Sequence, residues 1–205
     1  MKIELQAIGK RYRNEWVLRK VDAAFDAPTR YAVTGPNGSG KSTLLRILSG
    51  HLSPTKGKVV FSLDGKNLDA ALIYRHVAFA APYMELIEEF SLYEAIHFHQ
   101  RFKPLAPGIS PSRLIEILGL QKSSSKQIRF FSSGMKQRLR LAIAICSKSD
   151  ILLLDEPGSN LDAQGMDWYQ NLISEFGGER LIIVASNVAA DFSFCPEILE
   201  ISCFK

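Results

Sequence analysis

Nine residues, 35–43, constrain the fold of this chain more than any other segment, because they read Gly-Pro-Asn-Gly-Ser-Gly-Lys-Ser-Thr. The residues before them, 31–34, predict a buried strand, and apolar residues at helical spacing over 44–48 predict a helix that stops at Gly50. Three glycines let the backbone bend tightly and turn successive N–H groups inward, beside the positive end of that helix. The segment therefore predicts a phosphate-binding loop and the binding of a nucleoside triphosphate.

Every residue of this loop is a candidate for nucleotide binding. Lys41 is expected to place its charge on the outer phosphates, and the Ser42 hydroxyl is expected to bind a Mg²⁺ ion that bridges them. The alternative is a glycine-rich turn that binds nothing, which the strand before it and the helix after it disfavour. The candidate residues are Gly35, Pro36, Asn37, Gly38, Ser39, Gly40, Lys41, Ser42 and Thr43.

Length and composition are those of one well-cored soluble domain, with 205 residues, 46% hydrophobic and 22% charged residues. The net charge of +4 is mild, and the basic cluster near the N-terminus is interpreted as a solvated surface, so no nucleic-acid partner is expected. Three cysteines without metal-ligand spacing favour a reduced, cytosolic compartment. No run is long enough to span a membrane, so a membrane-spanning part is expected to be another chain.

The rest of the chain alternates between strand and helix patterns, which predicts an α/β fold with a mainly parallel sheet behind a β-rich N-terminal layer. Prolines interrupt a helical pattern between residues 86 and 120, and this stretch is interpreted as a helical insert. We expect a single domain over residues 1–205, with a core lobe at about 1–81 and 131–205 and a helical subdomain at about 82–130. The predicted strands cover 2–8, parts of 16–33, 59–63, 77–80, 151–154 and 181–185, and two further helices cover 136–147 and 167–176.

A second motif follows the aliphatic residues 151–154, which run straight into Asp155 and Glu156. A strand buried on both faces would deliver the two carboxylates to the carboxyl edge of the sheet, where ligands bind. Asp155 is then a candidate to hold Mg²⁺, directly or through water, and Glu156 to orient the water that attacks the γ-phosphate. An acidic turn after a strand is the alternative, and the phosphate loop upstream disfavours it.

Residues 131–138, Phe-Ser-Ser-Gly-Met-Lys-Gln-Arg, precede an amphipathic helix that Ser132 or Ser133 would cap. Here the chain resembles the ATP-binding cassette (ABC) family, whose signature is Leu-Ser-Gly-Gly-Gln followed by a basic residue, Gln and Arg. Residues 155–162 similarly resemble the carboxylate motif of the family and the dimer-contacting loop that follows it. The signature positions that match are Ser132, Gly134, Lys136, Gln137 and Arg138.

The resemblance implies a P-loop NTPase that acts in pairs. Two cassettes, identical or different, would bind ATP between the phosphate loop of one and the signature helix of the other, with Ser133, Gly134 and Met135 against the nucleotide of the partner. The helical subdomain would face a membrane-spanning subunit. Tyr12 stands where the family places an aromatic residue on adenine, although Trp16 could compete and a core tyrosine is an alternative.

Two departures from the family pattern concern loops that follow strands. Pro82 stands at or beside the position of a Gln that contacts magnesium, and Asn187 stands at the position of a His that contacts the γ-phosphate. Asn187 can donate an amide hydrogen bond but cannot carry a proton. Ser133 and Met135 also replace signature residues. Since Lys41, Ser42, Asp155 and Glu156 are intact, we expect slow but real hydrolysis of ATP, with Glu156, Lys41 and Asn187 as the catalytic residues.

The expected function is that of an ATP-binding and hydrolysing subunit, with ATP and Mg²⁺ as its ligands, that powers a transporter through a separate membrane-spanning subunit. Such a subunit would be cytoplasmic and peripheral on that face of the membrane. Two alternatives remain open on the sequence. One is an ABC ATPase acting on nucleic acid or ribosomes, although such members carry tandem cassettes or long insertions. The other is a regulatory, low-activity cassette in a heterodimer.

Overall fold

The computed structural model describes residues 1–204, which form nine strands and five α-helices besides short 3₁₀ turns. In chain order the elements are β1 (Lys2–Tyr12), β2 (Glu15–Asp26), β3 (Arg30–Thr34), α1 (Lys41–Leu48), β4 (Lys56–Leu63), β5 (Lys66–Leu68), β6 (Val77–Ala80), α2 (Leu92–Phe102), α3 (Pro111–Leu118), α4 (Ser133–Ile145), β7 (Ile151–Asp155), α5 (Ala163–Phe176), β8 (Leu181–Ala185) and β9 (Glu197–Glu200).

Four strands form an antiparallel sheet in the order β2-β1-β4-β5. β1 pairs with β2 on one side and with β4 on the other, so that Lys2 lies opposite both Asp26 and Ser62. Alternate side chains of β1, such as Ile3 and Leu5, are buried, as the period of two requires. This sheet is the predicted N-terminal β layer.

The other five strands form a parallel sheet in the order β6-β7-β8-β3-β9. Every residue of β7 and β8 is buried, which is typical of parallel strands covered on both faces. The phosphate loop and Asp155 therefore lie at the same carboxyl edge, as predicted. The edge strand β9 was not predicted, because its four residues are mostly exposed and carry no buried-strand pattern.

The parallel sheet separates two hydrophobic clusters, and alternate residues of each strand point into one or the other. In β7, Ile151 and Leu153 pack towards α1 and the antiparallel sheet. Leu152 and Leu154 pack towards α2, α3, α4 and α5. The helical insert thus shares a core with α4 and α5, and the Trp168 indole of α5 donates a hydrogen bond to the Ile117 carbonyl of α3 at 2.9 Å.

Helix boundaries differ from the predicted ones where capping residues lie further out than the apolar pattern. Asp162 accepts a hydrogen bond from the Gly165 N–H at 2.7 Å, so α5 begins at Ala163 and not at residue 167. Pro111 was predicted to interrupt a helix, but it begins α3 after the Ser110 cap. α4 begins at Ser133, before the predicted residue 136, and its last residue is Ile145.

The helical insert is confirmed as such by α2 and α3, while the boundaries of the helical subdomain at 82 and 130 stay a prediction. None of the helices within residues 1–204 has both the length and the apolar content needed to cross a bilayer.

Candidate functional site

The phosphate loop leaves the carboxyl end of β3 and leads directly into α1. Gly35, Gly38 and Gly40 have φ angles of 140°, 75° and 106°, which residues with a side chain rarely adopt. A Cβ at Gly40 would in addition lie 2.8 Å from Leu18 Cδ2. The backbone path of the loop therefore depends on glycine at this position for both conformation and space.

Hydrogen-bond donors converge where the loop meets α1. Within residues 1–204 no side chain caps the first turn of this helix, so its first N–H groups are available to an anion. Lys41 is only 5% exposed, and its Nζ donates to the carbonyl oxygens of Gly35 at 2.7 Å and Pro36 at 3.3 Å. These contacts hold the ammonium group against the loop, beside the helix N-terminus.

Asp155 ends β7 and is 1% exposed. Its Oδ2 accepts a hydrogen bond from the Tyr83 hydroxyl at 2.9 Å, whereas its Oδ1 is buried without a hydrogen-bond partner among residues 1–204. Burial raises the pKa of the Asp155 carboxyl, and the nearby hydroxyl groups of Ser42 and Tyr83 oppose that rise. An orphaned carboxylate oxygen beside the Ser42 hydroxyl is a donor set that fits Mg²⁺, which prefers oxygen ligands.

Glu156 points away from the core although it directly follows a fully buried strand. Its φ angle of 44° lies in the left-handed region, a strained conformation for a residue with a side chain that is common at functional sites. The Glu156 N–H donates to the Ala185 carbonyl at 2.8 Å, which extends the pairing of β7 with β8 by one residue. The side chain lines a cavity of about 420 Å³ that Asn37 and Asn187 also line.

Asn187 lies in the loop after β8, and its side chain contacts the phosphate loop. The Asn187 Nδ2 donates to the Asn37 Oδ1 at 2.9 Å. The Asn187 amide thus acts as a hydrogen-bond donor towards the phosphate loop. A role at the γ-phosphate stays a prediction.

A buried hydrogen bond between Ser186 and Asp191 stabilises the loop after β8. The Ser186 hydroxyl donates to Asp191 Oδ2 at 2.6 Å and accepts from the Val188 N–H at 3.0 Å. A Cβ at Gly158 would lie 2.1 Å from Asp191 Oδ1, so the segment after Glu156 approaches the loop too closely for any other residue. Burial raises the pKa of the Asp191 carboxyl, against the hydrogen bonds from Ser186 and the Gly158 N–H.

The three candidates at the start of α4 lie apart from the phosphate loop. Ser132 is the helix cap, and its hydroxyl accepts a hydrogen bond from the Met135 N–H at 3.2 Å. The next residue, Ser133, is exposed. Gly134 lies against the Asn160 carbonyl, where an added Cβ would sit at 3.0 Å. Among residues 1–204, no hydrogen bond joins Ser133, Gly134 or Met135 to the phosphate loop.

Tyr12 ends β1 and is 44% exposed, so the core alternative for this residue is wrong. Lys10 Nζ lies 5.4 Å from its ring centroid. Trp16 instead packs across Gly9, where a Cβ would lie 2.9 Å from the Trp16 ring, and Lys56 Nζ lies 5.5 Å from its centroid. Of the two aromatic residues, Tyr12 therefore has the freer face.

Tyr83 was not recognised from the sequence, although it binds one of the predicted site residues. It follows Pro82, which has no side-chain donor or acceptor. Burial raises the pKa of Tyr83 to about 12, so its hydroxyl is a neutral donor at physiological pH, and the Arg46 hydrogen bond opposes this rise. An aromatic hydroxyl immediately after the substituted position was the signal that could have identified it.

The parallel sheet, the glycine-dependent loop at its carboxyl edge and the two carboxylates beside it define a P-loop nucleoside triphosphatase of the α/β class. The structure brings Lys41, Ser42, Asp155, Glu156 and Asn187 to this edge. It leaves Ser133, Gly134 and Met135 at a separate helix start.

Sequence comparisons narrow this class to one family. Residues 18–159 match the family model described as ABC transporter. The chain is 31% identical over 203 residues to the uncharacterized ABC transporter ATP-binding protein YybJ of Bacillus subtilis (strain 168), covering 98% of this chain and 92% of that protein. It is also 31% identical over 190 residues to the lantibiotic transport ATP-binding protein SrtF of Streptococcus pyogenes, covering 90% and 79%.

Solved structures show the same fold. The putative ABC transporter ATP-binding protein of Pyrococcus furiosus superposes with a TM-score of 0.83 at 19% identity, with 100% of both chains covered. The ATP-binding cassette MJ0796, solved as a dimer bound to ADP and Pi, has a TM-score of 0.82 at 22% identity, covering 98% and 95%. The chain belongs to the ABC transporter family and is one of its ATP-binding, ATP-hydrolysing cassettes.

Proposed function

We propose that this chain hydrolyses Mg²⁺-bound ATP to power a transporter whose membrane-spanning part is a separate polypeptide. The observation that carries the proposal is the meeting of the phosphate loop, Asp155 and Glu156 at one sheet edge. Relatives named as ATP-binding proteins of transport systems support the transport role. They lend no support to action on nucleic acid or ribosomes.

The phosphate groups of ATP would bind to the N–H groups of the loop and to Lys41, and Ser42 and Asp155 would hold Mg²⁺. Within residues 1–204 there is no group of three His, Cys, Asp or Glu residues that could bind a metal alone. Phosphate and water oxygens would complete the coordination of the ion, as is usual for Mg²⁺. Mg²⁺ supplies neutralisation of the charge on the β- and γ-phosphates when it is bound.

Glu156 orients and polarises the attacking water, since its side chain is exposed to the cavity beside the phosphate loop. Asn187 acts as an amide donor at the γ-phosphate end of the same cavity. Because an amide cannot take up or release a proton, turnover is slow compared with what a His at this position would allow. Tyr12, at the open end of β1, stacks on adenine.

A second cassette, identical or different, completes the site. Ser133, Gly134 and Met135 lie at an accessible helix N-terminus that makes no hydrogen bond to the phosphate loop of its own chain, so they bind the ATP held by the partner cassette. The cassette MJ0796, which shares this fold, is described as a dimer.

The membrane-spanning partner docks in an apolar groove beside α2. The groove has a volume of about 250 Å³. Phe98 lies between Phe90 and Phe102, with centroid separations of 5.3 Å and 5.0 Å, and Phe102 is 74% exposed. Apolar surface of this kind at the edge of a domain favours a protein partner. Docking there places the cassette on the cytoplasmic face of the membrane as a peripheral subunit.

The test of hydrolysis is Glu156→Gln, compared with Glu175→Gln on the exposed face of α5. Loss of general-base assistance lowers kcat by roughly 10²- to 10⁴-fold, while the control variant keeps the parent rate. The measurement is phosphate release by the cassette purified with its membrane partner. Equal rates in the parent and in Glu156→Gln would refute the proposed role of Glu156.

The test of docking is Phe98→Asp, compared with Phe130→Asp at another exposed ring, which lies outside the groove. A buried charge without a partner disrupts an apolar interface. Phe98→Asp therefore abolishes co-purification of a multi-helix membrane protein from a detergent extract, and Phe130→Asp retains it. If both variants co-purify with the partner as the parent does, the groove is not the docking site.

A further inference from the structure

A tight turn carries the chain from β6 towards the helical insert. The Met84 N–H donates to the Ala81 carbonyl at 3.1 Å, with Pro82 at the second position of the turn, where its fixed φ is favourable. Tyr83 occupies the third position. The turn therefore directs the Tyr83 side chain, and not that of residue 82, towards the nucleotide-binding edge of the sheet.

The Tyr83 side chain is held from two sides. Its hydroxyl donates to Asp155 Oδ2 at 2.9 Å. The Arg46 guanidinium lies 4.3 Å from the ring centroid, and Arg46 Nε donates to the Tyr83 hydroxyl at 3.4 Å. Arg46 is one helical turn after Ser42 on α1, so Tyr83 connects the helix of the phosphate loop to the carboxylate at the end of β7.

The same turn is attached to α4. Arg140 Nε donates to the Met84 carbonyl at 2.7 Å. A chain of direct contacts thus runs from α4 through the turn and the Tyr83 hydroxyl to Asp155. α4 is also the helix whose first residues are proposed to bind the ATP of the partner cassette.

We propose that Tyr83 is a positioning residue for Mg²⁺: its hydroxyl fixes one oxygen of Asp155 and leaves the other free for the ion or an ion-bound water. The inference rests on the proposed function, since it requires Asp155 to hold Mg²⁺. Two observations support it. The Tyr83 hydroxyl donates to Asp155 Oδ2, while Oδ1 of the same carboxylate is buried without a partner among the described residues. In addition, the Tyr83 side chain is 44% exposed, so packing alone does not explain its position.

The test is Tyr83→Phe, which removes the hydroxyl and keeps the ring. Both it and the control Tyr93→Phe, an exposed tyrosine on α2, are made in a Glu156→Gln background so that ATP is not consumed. Loss of a residue that orients a metal ligand typically weakens metal binding by about tenfold or more. Tyr83→Phe should therefore raise the Mg²⁺ concentration for half-maximal enhancement of ATP binding by about tenfold. Titration calorimetry measures ATP binding with Mg²⁺ and with EDTA.

The affinity for ATP in EDTA should stay at the parent value, because the phosphate loop is untouched. Arg46→Met, which removes the cation from the ring, should shift the Mg²⁺ requirement in the same direction by a smaller factor. An unchanged or lower requirement in Tyr83→Phe would overturn the inference, as would an equal loss of affinity with and without Mg²⁺. If ATP binding by the background protein itself does not respond to Mg²⁺, the proposed metal site fails first.

Discussion

The phosphate loop presents its backbone to the predicted nucleotide site, whereas the two loops that follow β6 and β8 present side chains. The phosphate loop presents backbone N–H groups, and its shape depends on glycines with positive φ angles. The other two loops present side chains, Tyr83 towards Asp155 and Asn187 towards Asn37. A backbone cradle leaves little freedom for substitution, whereas a side-chain contact can be made by a different residue at a neighbouring position.

Two of the departures from the family pattern fall in the loops that present side chains. Pro82, which lies at or beside the expected Gln position, has no side-chain amide, yet the next residue, Tyr83, contacts the expected metal ligand Asp155. Asn187 keeps a donor where an imidazole is usual, and that donor contacts the phosphate loop. The two substituted loops are therefore still connected to the nucleotide site, by contacts of their own.

The largest effect is expected on the phosphate-loop side of this comparison. Lys41→Met removes a preorganised charge from the transferred phosphoryl group, which should lower kcat by about 10²- to 10³-fold. Steady-state phosphate release by the complex checks this, with the exposed Lys122→Met as a control that should be silent. A loss of only a few-fold would mean that the loop backbone alone supplies most of the stabilisation.

A smaller effect is expected at the loop after β8. Asn187→Ala removes one neutral hydrogen bond to Asn37, which contributes on the order of 0.5–1.5 kcal/mol, so kcat should fall by roughly 2- to 10-fold. The control is Asn14→Ala in the exposed turn between β1 and β2. A fall as large as that of Lys41→Met would show that the side-chain loop matters as much for turnover as the phosphate loop, against the distinction between the two kinds of loop. An unchanged rate would show that the contact with Asn37 has no part in turnover.

Local pattern was sufficient for much of the fold and for the centre of the site. The phosphate loop lies between a strand and a helix, and Asp155 and Glu156 end a strand buried on both faces, as predicted. Both predictions depended on interactions close in sequence: glycine conformation, helical periodicity and an aliphatic run. Such signals are present in the chain before it folds.

Predictions failed or were absent where distant residues decide the outcome. β9 is a strand because Thr34 and its neighbours in β3 offer an open edge to Glu197–Glu200, which the short polar pattern does not show. The start of α5 depends on the cap at Asp162. Tyr83 was missed because its partners, Arg46 and Asp155, are 37 and 72 residues away.

The sequence by itself determined three features of this protein: a backbone cradle for phosphate, two carboxylates after a buried strand, and a helix with a capped, glycine-containing start. Each of them is specified by residues that are adjacent in the chain. Only the tertiary structure decided how these parts are joined. The strand order brings Asn187 to Asn37, and the turn at Pro82 brings Tyr83 to Asp155. Both contacts depend on strand pairing, because β6 lies beside β7 and β8 lies beside β3, so the loops at the carboxyl ends of neighbouring strands meet.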